Sequence, residues 1–362
     1  MKKILILSNH HSYTYNFRKE IINAFISENY KVTVAQPYGP KVEYLKQMGC
    51  ECVDIPLDRR GKNILSDSIL FVRYYKLIKK NKPDIVISYT IKPNLYGGIL
   101  CRFLGLPHIP NITGLGTAVE EQSVLQKAIL LAYKFSFRNS NVIMFQNQEN
   151  LNFFKTYNIG LGRKKLLPGS GVNLSEFQAL EYPSDEKIKF VFISRIMKEK
   201  GIEQFLDAAK SIKNQFPNTE FHICGSSDDN YKEKLHQLNE DGIIIYHGLV
   251  DDVKEVLSKM HCVVHPSYYP EGISNILLES AASAKPLITT NRSGCREVVD
   301  HEGSGYICNT KDSNDLIEKI KKFLELNNVE RKVMGEKGRM KVEREFDRNL
   351  VVESYVEEIK KI

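Results

Sequence analysis

Apolar residues fall into two spacings along this chain, and the two alternate. Short β-branched runs are apolar on both faces: KILIL (3–7), KVTVA (31–35), DIVIS (84–88), HIPNI (108–112) and NVIMF (141–145). A second series follows with IKFVFIS (188–194), EFHIC (220–224), GIIIYH (242–247), HCVVH (261–265) and PLITT (286–290). Between them lie stretches with apolar positions three and four apart, such as TYNFRKEIINAFISE (14–28) and IEQFLDAAKSIKNQF (202–216). Strands buried on both faces and separated by helices predict parallel sheets with helices on each side. The segment LPGSGVNLSEFQALEYPSDEK (167–187) breaks the rhythm with Pro, Gly and charge, and reads as a connection between domains. The expected organisation is two doubly wound, Rossmann-like α/β domains facing across a cleft, at residues 1–172 and 173–345. A C-terminal helix at 346–362 is expected to pack back towards the first domain.

Composition narrows the class. Among 362 residues, 42% are hydrophobic and 26% charged, an ordinary balance for a globular chain. The seven cysteines are scattered, and Cys50-x-Cys52 is too tight for a zinc site, so reduced thiols are expected. After MKK only four apolar residues precede polar ones, too few for a signal peptide, and no apolar run approaches the roughly 20 residues of a membrane span. A cytoplasmic protein is expected. Charge is lopsided: residues 1–180 hold 24 Lys and Arg against 12 Asp and Glu, whereas 181–362 hold 27 against 32. A cationic first half suits an anionic partner, or is a solvated lysine-rich surface; no recognition signature accompanies it, so nucleic acid is not expected.

Ligands of such sheets bind beyond the carboxyl ends of strands, and the informative residues sit there. SRIMKEKG (194–201) places Arg195 and Lys200 after a strand and before a helix, an arrangement that fits a diphosphate but also an ordinary surface loop. HPSYYPEGISNILLESAASAKPLIT (265–289) leaves a strand, turns at Glu271-Gly272, and enters a helix near Ser274, an N-cap type of residue. Glu279 falls in the second turn, and helical side chains lean towards the N-terminus, so both carboxylates can address one ligand over the helix start. The N–H groups of Gly272, Ile273, Ser274 and Asn275 would face its phosphate.

These segments resemble a known family. SYYPEGISNILLESAASAKPLIT is similar to the donor-binding segment of retaining GT-B glycosyltransferases of the GT4 family. SRIMKEKGI resembles that family's diphosphate loop, and IYHGLVDDV (245–253) its segment near the nucleobase, at His247 and Gly248. YTIKPNLYGGI (89–99), NITGLGT (111–117), FQNQEN (145–150) and LPGSGVNLSEF (167–177) resemble the branch that builds capsule, exopolysaccharide and lipid-linked oligosaccharide. The resemblance implies a UDP-sugar donor and an undecaprenyl-diphosphate-linked saccharide acceptor. It implies that Arg195 and Lys200 neutralise the leaving diphosphate, Glu279 holds the ribose and Glu271 the donor sugar. It also implies reaction on one face of the sugar, with no metal and no cofactor. The glycine-rich loop that commonly follows the first strand is replaced by SNHHSYTYNF (8–17), which makes His10, His11 and Tyr13 acceptor-side candidates beside Lys92, Asn94, Gly114 and Gly116.

Other readings remain beside this one. A non-hydrolysing UDP-sugar 2-epimerase shares the architecture, and a non-catalytic nucleotide-sugar-binding protein shares the donor residues. No Gly-x-Gly-x-x-Gly follows a strand as a dinucleotide oxidoreductase would require. Asp228-Asp229 and Asp251-Asp252 are adjacent pairs, read as helix starts or loops rather than metal ligands. The histidines near strand ends, His10, His11, His108, His247, His261 and His265, read chiefly as core or hydrogen-bonded groups, with His10-His11 the pair most open to an acceptor role. SILFVRYYKLIKKNK (68–82) and LQKAILLAYKFSFR (125–138) mix aromatics with Lys and Arg, and suit either packed helices or peripheral contact with an anionic membrane surface.

Overall fold

A computed structural model describes residues 1–58, 63–116, 124–184, 186–227 and 229–362. Thr117, Asp185 and Asp228, each within a segment singled out above, lie outside them. The chain forms two units, one of Met1–Gly171 with Arg348–Ile362 and one of Val172–Asp347.

In the first unit the apolar runs become β1 (Lys3–Leu7), β2 (Lys31–Gln36), β4 (Ile85–Tyr89), β5 (His108–Ile112) and β6 (Val142–Phe145). Two further strands, β3 (Glu51–Asp54) and β7 (Arg163–Leu166), close the edges of a parallel sheet ordered β3-β2-β1-β4-β5-β6-β7. Their sequences, ECVD and RKKL, are half-exposed edge segments without an apolar run, so periodicity does not find them. The helices are α1 (His11–Ser27), α2 (Val42–Gln47), α3 (Ile64–Asn81), α4 (Ile91–Leu104), α5 (Val124–Phe137) and α6 (Gln148–Thr156). The chain's last helix, α13 (Arg348–Lys360), packs on α1. Thr14, Arg18, Ile21, Ile22 and Phe25 recur at helical spacing and give α1 one buried stripe. Tyr355 of α13 lies beneath it, in edge contact with Phe25. Arg348 fastens the start of α13, donating to Glu20 at 3.0 Å and to the carbonyls of Asn16 and Gly171.

The second unit holds β8 (Ile188–Ile193), β9 (Thr219–Cys224), β10 (Ile245–Tyr246), β11 (Cys262–His265), β12 (Leu287–Thr290) and β13 (Gly305–Cys308). They form a parallel sheet ordered β10-β9-β8-β11-β12-β13. Its helices are α7 (Ile202–Gln215), α8 (Asp229–Glu240), α9 (Val253–Ser258), α10 (Asn275–Ala282), α11 (Ser313–Glu325) and α12 (Asn328–Glu345). Ile202, Phe205, Leu206 and Ile212 of α7 are fully buried against the sheet, each stabilising the unit by about 1.5–3 kcal/mol. The run 242–247 yields only a two-residue strand, because the N–H groups of Ile243 and Ile244 turn back to Leu238 O and cannot join the ladder. The stretch from Val172 onward is no free linker: Leu174, Phe177 and Leu180 pack on the core, and Tyr182 donates to His261 O at 3.0 Å. No helix among the described residues is long and apolar enough to cross a membrane.

Candidate functional site

In the second unit, two glycines bring the loops at the carboxyl end of the sheet together. Gly201 ends the short turn Lys198–Lys200 with φ at 79°, and a Cβ there would lie 2.1 Å from Pro266 O. Only glycine lets that turn press onto the chain leaving β11. Lys200 is thereby held, 6% exposed, with its Nζ donating to both oxygens of Glu271 at 2.7 and 2.8 Å. Tyr269 presents its ring to both cations, 5.1 Å from Lys200 Nζ and 5.8 Å from Arg195 Cζ. Gly294 is the second clamp, with φ at 94° and a hypothetical Cβ 2.1 Å from Gly272 O.

Ser274 stands in the N-cap position of α10, but its hydroxyl meets His265 Nε2 at 3.3 Å and does not cap the helix. Its N–H donates to Gly294 O at 2.8 Å. Here the geometry differs from the expectation of a row of N–H groups facing a phosphate, because the Ser274 donor is consumed within the protein. Gly272 and Ile273 are buried beside it, and Asn275 and Glu279 are half-buried on α10.

The charges are strongly coupled. Burial pushes the Glu271 carboxyl up, but Lys200 and the nearby His265 imidazole outweigh it and hold the group down at about 2. Burial lowers His265, and Lys200 adds to this while Glu271 opposes it. At neutral pH Glu271 is therefore a carboxylate and His265 a neutral imidazole. His265, Glu271 and Cys295 each bring a ligand-type atom within 4.8 Å of one another, a trio to be weighed as a metal site. They suit one poorly, because burial pushes the Cys295 thiol up to about 12 and Lys200 already occupies both Glu271 oxygens. Asp252 caps α9 by accepting from Lys254 N–H at 2.8 Å.

His247 and Gly248 follow β10, where Gly248 O accepts from Gly225 N–H at 2.7 Å. The His247 ring is committed to His222: the two nitrogens are 2.9 Å apart and the rings lie 6° from parallel. His222 reaches Glu220 at 3.2 Å, and burial holds it at about 4.

In the first unit, His10, His11 and Tyr13 cluster at the start of α1. The two imidazoles stack at 4.6 Å, and Tyr13 lies 4.8 Å from His10. His10 caps α1, accepting from Ser12 N–H, and Gly39 lies so close to the His11 ring that a Cβ would collide with it. Burial, with Lys41 nearby, lowers His11. Lys92 is tied to Asp67 at 2.7 Å. Asn94 is 2% exposed and used within the framework, accepting from Ser88 Oγ and donating to Asn111 O. Gly114 and Gly116 take φ of 145° and 73° in the loop after β5. Sequence reasoning missed Tyr269, Cys295, Gly201 and Gly294, and gave His265 no role; the positive φ of the two glycines has no signal in sequence beyond their identity.

Comparison with known proteins gives the family. Residues 176–341 match the family model for glycosyl transferases group 1, and residues 3–147 match that for glycosyl transferase 4-like proteins. The chain belongs to the GT4 glycosyltransferases. This glycosyltransferase is 25% identical to N,N'-diacetylbacillosaminyl-diphospho-undecaprenol alpha-1,3-N-acetylgalactosaminyltransferase of Campylobacter jejuni, over 98% of this chain and 97% of that one. It is 27% identical to the capsular polysaccharide biosynthesis glycosyltransferase CapM of Staphylococcus aureus, over 85% of each chain. It is 25% identical to the UDP-Gal:alpha-D-GlcNAc-diphosphoundecaprenol alpha-1,3-galactosyltransferase of Escherichia coli, over 79% and 78%. Among solved structures, HepE of Anabaena in complex with UDP and glucose superposes over all of both chains with a TM-score of 0.80 at 17% identity. The fold is GT-B.

Proposed function

We propose that this glycosyltransferase moves a sugar from a UDP-sugar to an undecaprenyl-diphosphate-linked saccharide during synthesis of a bacterial surface polysaccharide, with retention and without a metal. The observation that carries the reading is the Lys200–Glu271 pair beside Arg195 and Tyr269 at the start of α10. In the unliganded protein each charge neutralises the other. A donor would exchange both partners: its diphosphate takes Lys200 and Arg195, and a hydroxyl of its sugar donates to Glu271. Glu279 holds the ribose hydroxyls. As the bond from the sugar's anomeric carbon to the diphosphate breaks, charge develops on the leaving oxygen and the two cations stabilise it. The acceptor oxygen bonds the same face of that carbon, and its proton passes to the departing phosphate. The relatives' names support the choice of donor and acceptor, with UDP-Gal and diphosphoundecaprenol among them.

The first unit binds the acceptor and touches an anionic membrane surface. Leu65, Ile69, Val72 and Tyr75 line an exposed stripe on α3 beside Arg73, Lys76, Lys79 and Lys80. Phe103, Leu131 and Phe135 are exposed on α4 and α5. Apolar side chains set among cations suit a headgroup region.

Thermal shifts across UDP-, GDP- and ADP-sugars test the donor, because a bound donor stabilises the fold by mass action. Stabilisation by GDP- or ADP-sugars alone would overturn the choice of UDP. Glu279→Ala is expected to raise KM for donor, and Glu271→Ala to lower kcat by roughly 10²-fold while UDP still binds. The reverse pattern would remove the placement of the donor over α10.

A further inference from the structure

The first unit buries a cation that the proposed donor chemistry does not use. Arg18 is 6% exposed on α1, and its guanidinium lies 4.5 Å from the centre of the Tyr89 ring. Its one hydrogen bond among the described residues goes to Phe17 O at 2.9 Å. Other buried cations resolve their charge. Arg348 pairs with Glu20, Lys341 with Asp300 and Lys200 with Glu271. Arg331 donates to the carbonyls of Phe323 and Leu324 in the last turn of α11, where the helix end favours a cation. Lys285, fully buried, donates to Glu181 O and lies 5.5 Å from the Tyr182 ring centre, and burial lowers it to about 8, towards the neutral amine. An arginine has no such escape, because its guanidinium stays protonated.

The place of this charge in the fold indicates what it awaits. Tyr89 ends β4, and β4 lies beside β1 where the strand order reverses. Such switch points, at the carboxyl ends of the strands, are where open α/β sheets take their ligands. Unspent polar groups collect along the same rim. Asn9 Oδ1 after β1, both amide atoms of Gln36 at the end of β2, Thr90 Oγ1 after β4 and Asn111 Oδ1 in β5 are buried without a partner among the described residues. Gln36 and Asn111 are 0% and 1% exposed. Thr90 adopts φ of 71°, a strained conformation for a β-branched residue. A guanidinium presents a planar fork of donors matched to phosphate, and amides and a hydroxyl at the same ends of the strands match sugar hydroxyls.

We infer that Arg18 is the docking cation for a phosphate of the acceptor, with Gln36, Thr90 and Asn111 addressing the saccharide next to it. This deepens the proposed function and rests on it for the nature of the acceptor, but it places a charged group of the first unit in contact with the lipid-linked diphosphate.

The test uses the full-length protein, with farnesyl diphosphate, inorganic diphosphate and UDP as probes. Calorimetry of wild type, Arg18→Gln and Arg18→Lys gives affinities. Arginine side-chain NMR of the wild type follows the Arg18 Nε–H signal, assigned by its loss in Arg18→Lys. Farnesyl diphosphate is expected to shift that signal and to bind at least about tenfold more weakly to Arg18→Gln, with a smaller loss in Arg18→Lys. UDP affinity should be equal in all three proteins. If farnesyl diphosphate leaves the signal in place, or binds Arg18→Lys and Arg18→Gln as it binds wild type, the inference is overturned. A shift caused by UDP as large as that caused by farnesyl diphosphate assigns Arg18 to the donor and overturns it too. A shift with inorganic diphosphate alone marks a site for the free ion and also counts against an acceptor role. Should Arg18→Gln fail to fold by circular dichroism, Arg18→Lys carries the comparison. Failure of UDP to bind wild type would sink the donor reading while leaving the Arg18 signal to be judged separately.

Discussion

Replacing Glu271 by Gln keeps the side chain's shape and removes the charge that neutralises Lys200. Lys200 retains 8% of its side-chain exposure and Glu271 24%, so the pair is mostly withdrawn from water. Breaking a buried ion pair from one side costs about 3–5 kcal/mol, and the partial exposure of Glu271 places this pair near the lower end. The carboxyl gives a second route to the figure. It is held at about 2 against a usual value of 4.5, which corresponds to about 3 kcal/mol. At roughly 2–4 °C per kcal/mol for a unit of this size, the transition containing residues 172–347 should fall by roughly 6–12 °C at pH 7. The sign of the pH dependence follows from the depressed value. The stabilisation is complete above pH 4.5 and is lost as pH falls towards 2. Glu271→Gln has no carboxyl to titrate there, so the gap between the two proteins should narrow from pH 5 to pH 3. Adding Lys200→Met should restore part of the lost stability, since the orphaned charge goes with it. Calorimetric scans of the three proteins at matched salt decide the matter. A gap below 2 °C at pH 7, or one that stays constant down to pH 3, would refute the coupling drawn here.

Gly201→Ala must accommodate a Cβ 2.1 Å from Pro266 O at φ of 79°; a loss of at least about 2 kcal/mol in urea unfolding is expected, with reduced kcat, and unchanged stability would show that the turn is not clamped. Turnover should survive EDTA, because Arg195 and Lys200 supply the positive charge; abolition by EDTA with recovery on adding Mg²⁺ would remove that assignment. Sedimentation with anionic liposomes should weaken as salt rises and on Ile69→Asp, whereas equal binding to neutral liposomes would rule out an electrostatic contribution.

Much of the fold was legible because buried parallel strands announce themselves by composition. Ile4 to Leu7 are fully buried, as are Phe190 to Phe192, and short β-branched or aromatic runs of this kind fit a strand covered on both faces. Edge strands carry no such obligation. RKKL at 163–166 is a strand because β6 offers it a ladder, not because its side chains need burial. The partial strand at 245–246 is the opposite case, with apolar residues present but their N–H groups diverted to the end of α8. Side-chain composition records burial, whereas the ladder is a matter of which backbone groups remain available.

The site divides along the same physical line. Arg195, Lys200, Glu271 and Glu279 stand out in the sequence through the family resemblance of the segments that carry them, since two basic residues on a loop or two glutamates eight apart also occur without a ligand. The separation of 71 positions between Lys200 and Glu271 hides their pairing, which depends on Gly201 fitting against Pro266. Likewise, the sequence of Ser274 fits an N-cap, and only the approach of Gly294 shows where its N–H goes. The hidden part is therefore the set of close backbone approaches that decide which charges meet. That set also bears on catalysis. A carboxylate held at about 2 and bound twice by an ammonium gives up that partner only to a ligand that compensates both charges together. In the proposed donor complex a nucleotide-sugar would do so, with a diphosphate for Lys200 and a hydroxyl for Glu271, whereas a free sugar would leave the ammonium unpaired and a free nucleotide the carboxylate. On the proposed reading, the buried pair would thus favour the intact donor over either of its fragments.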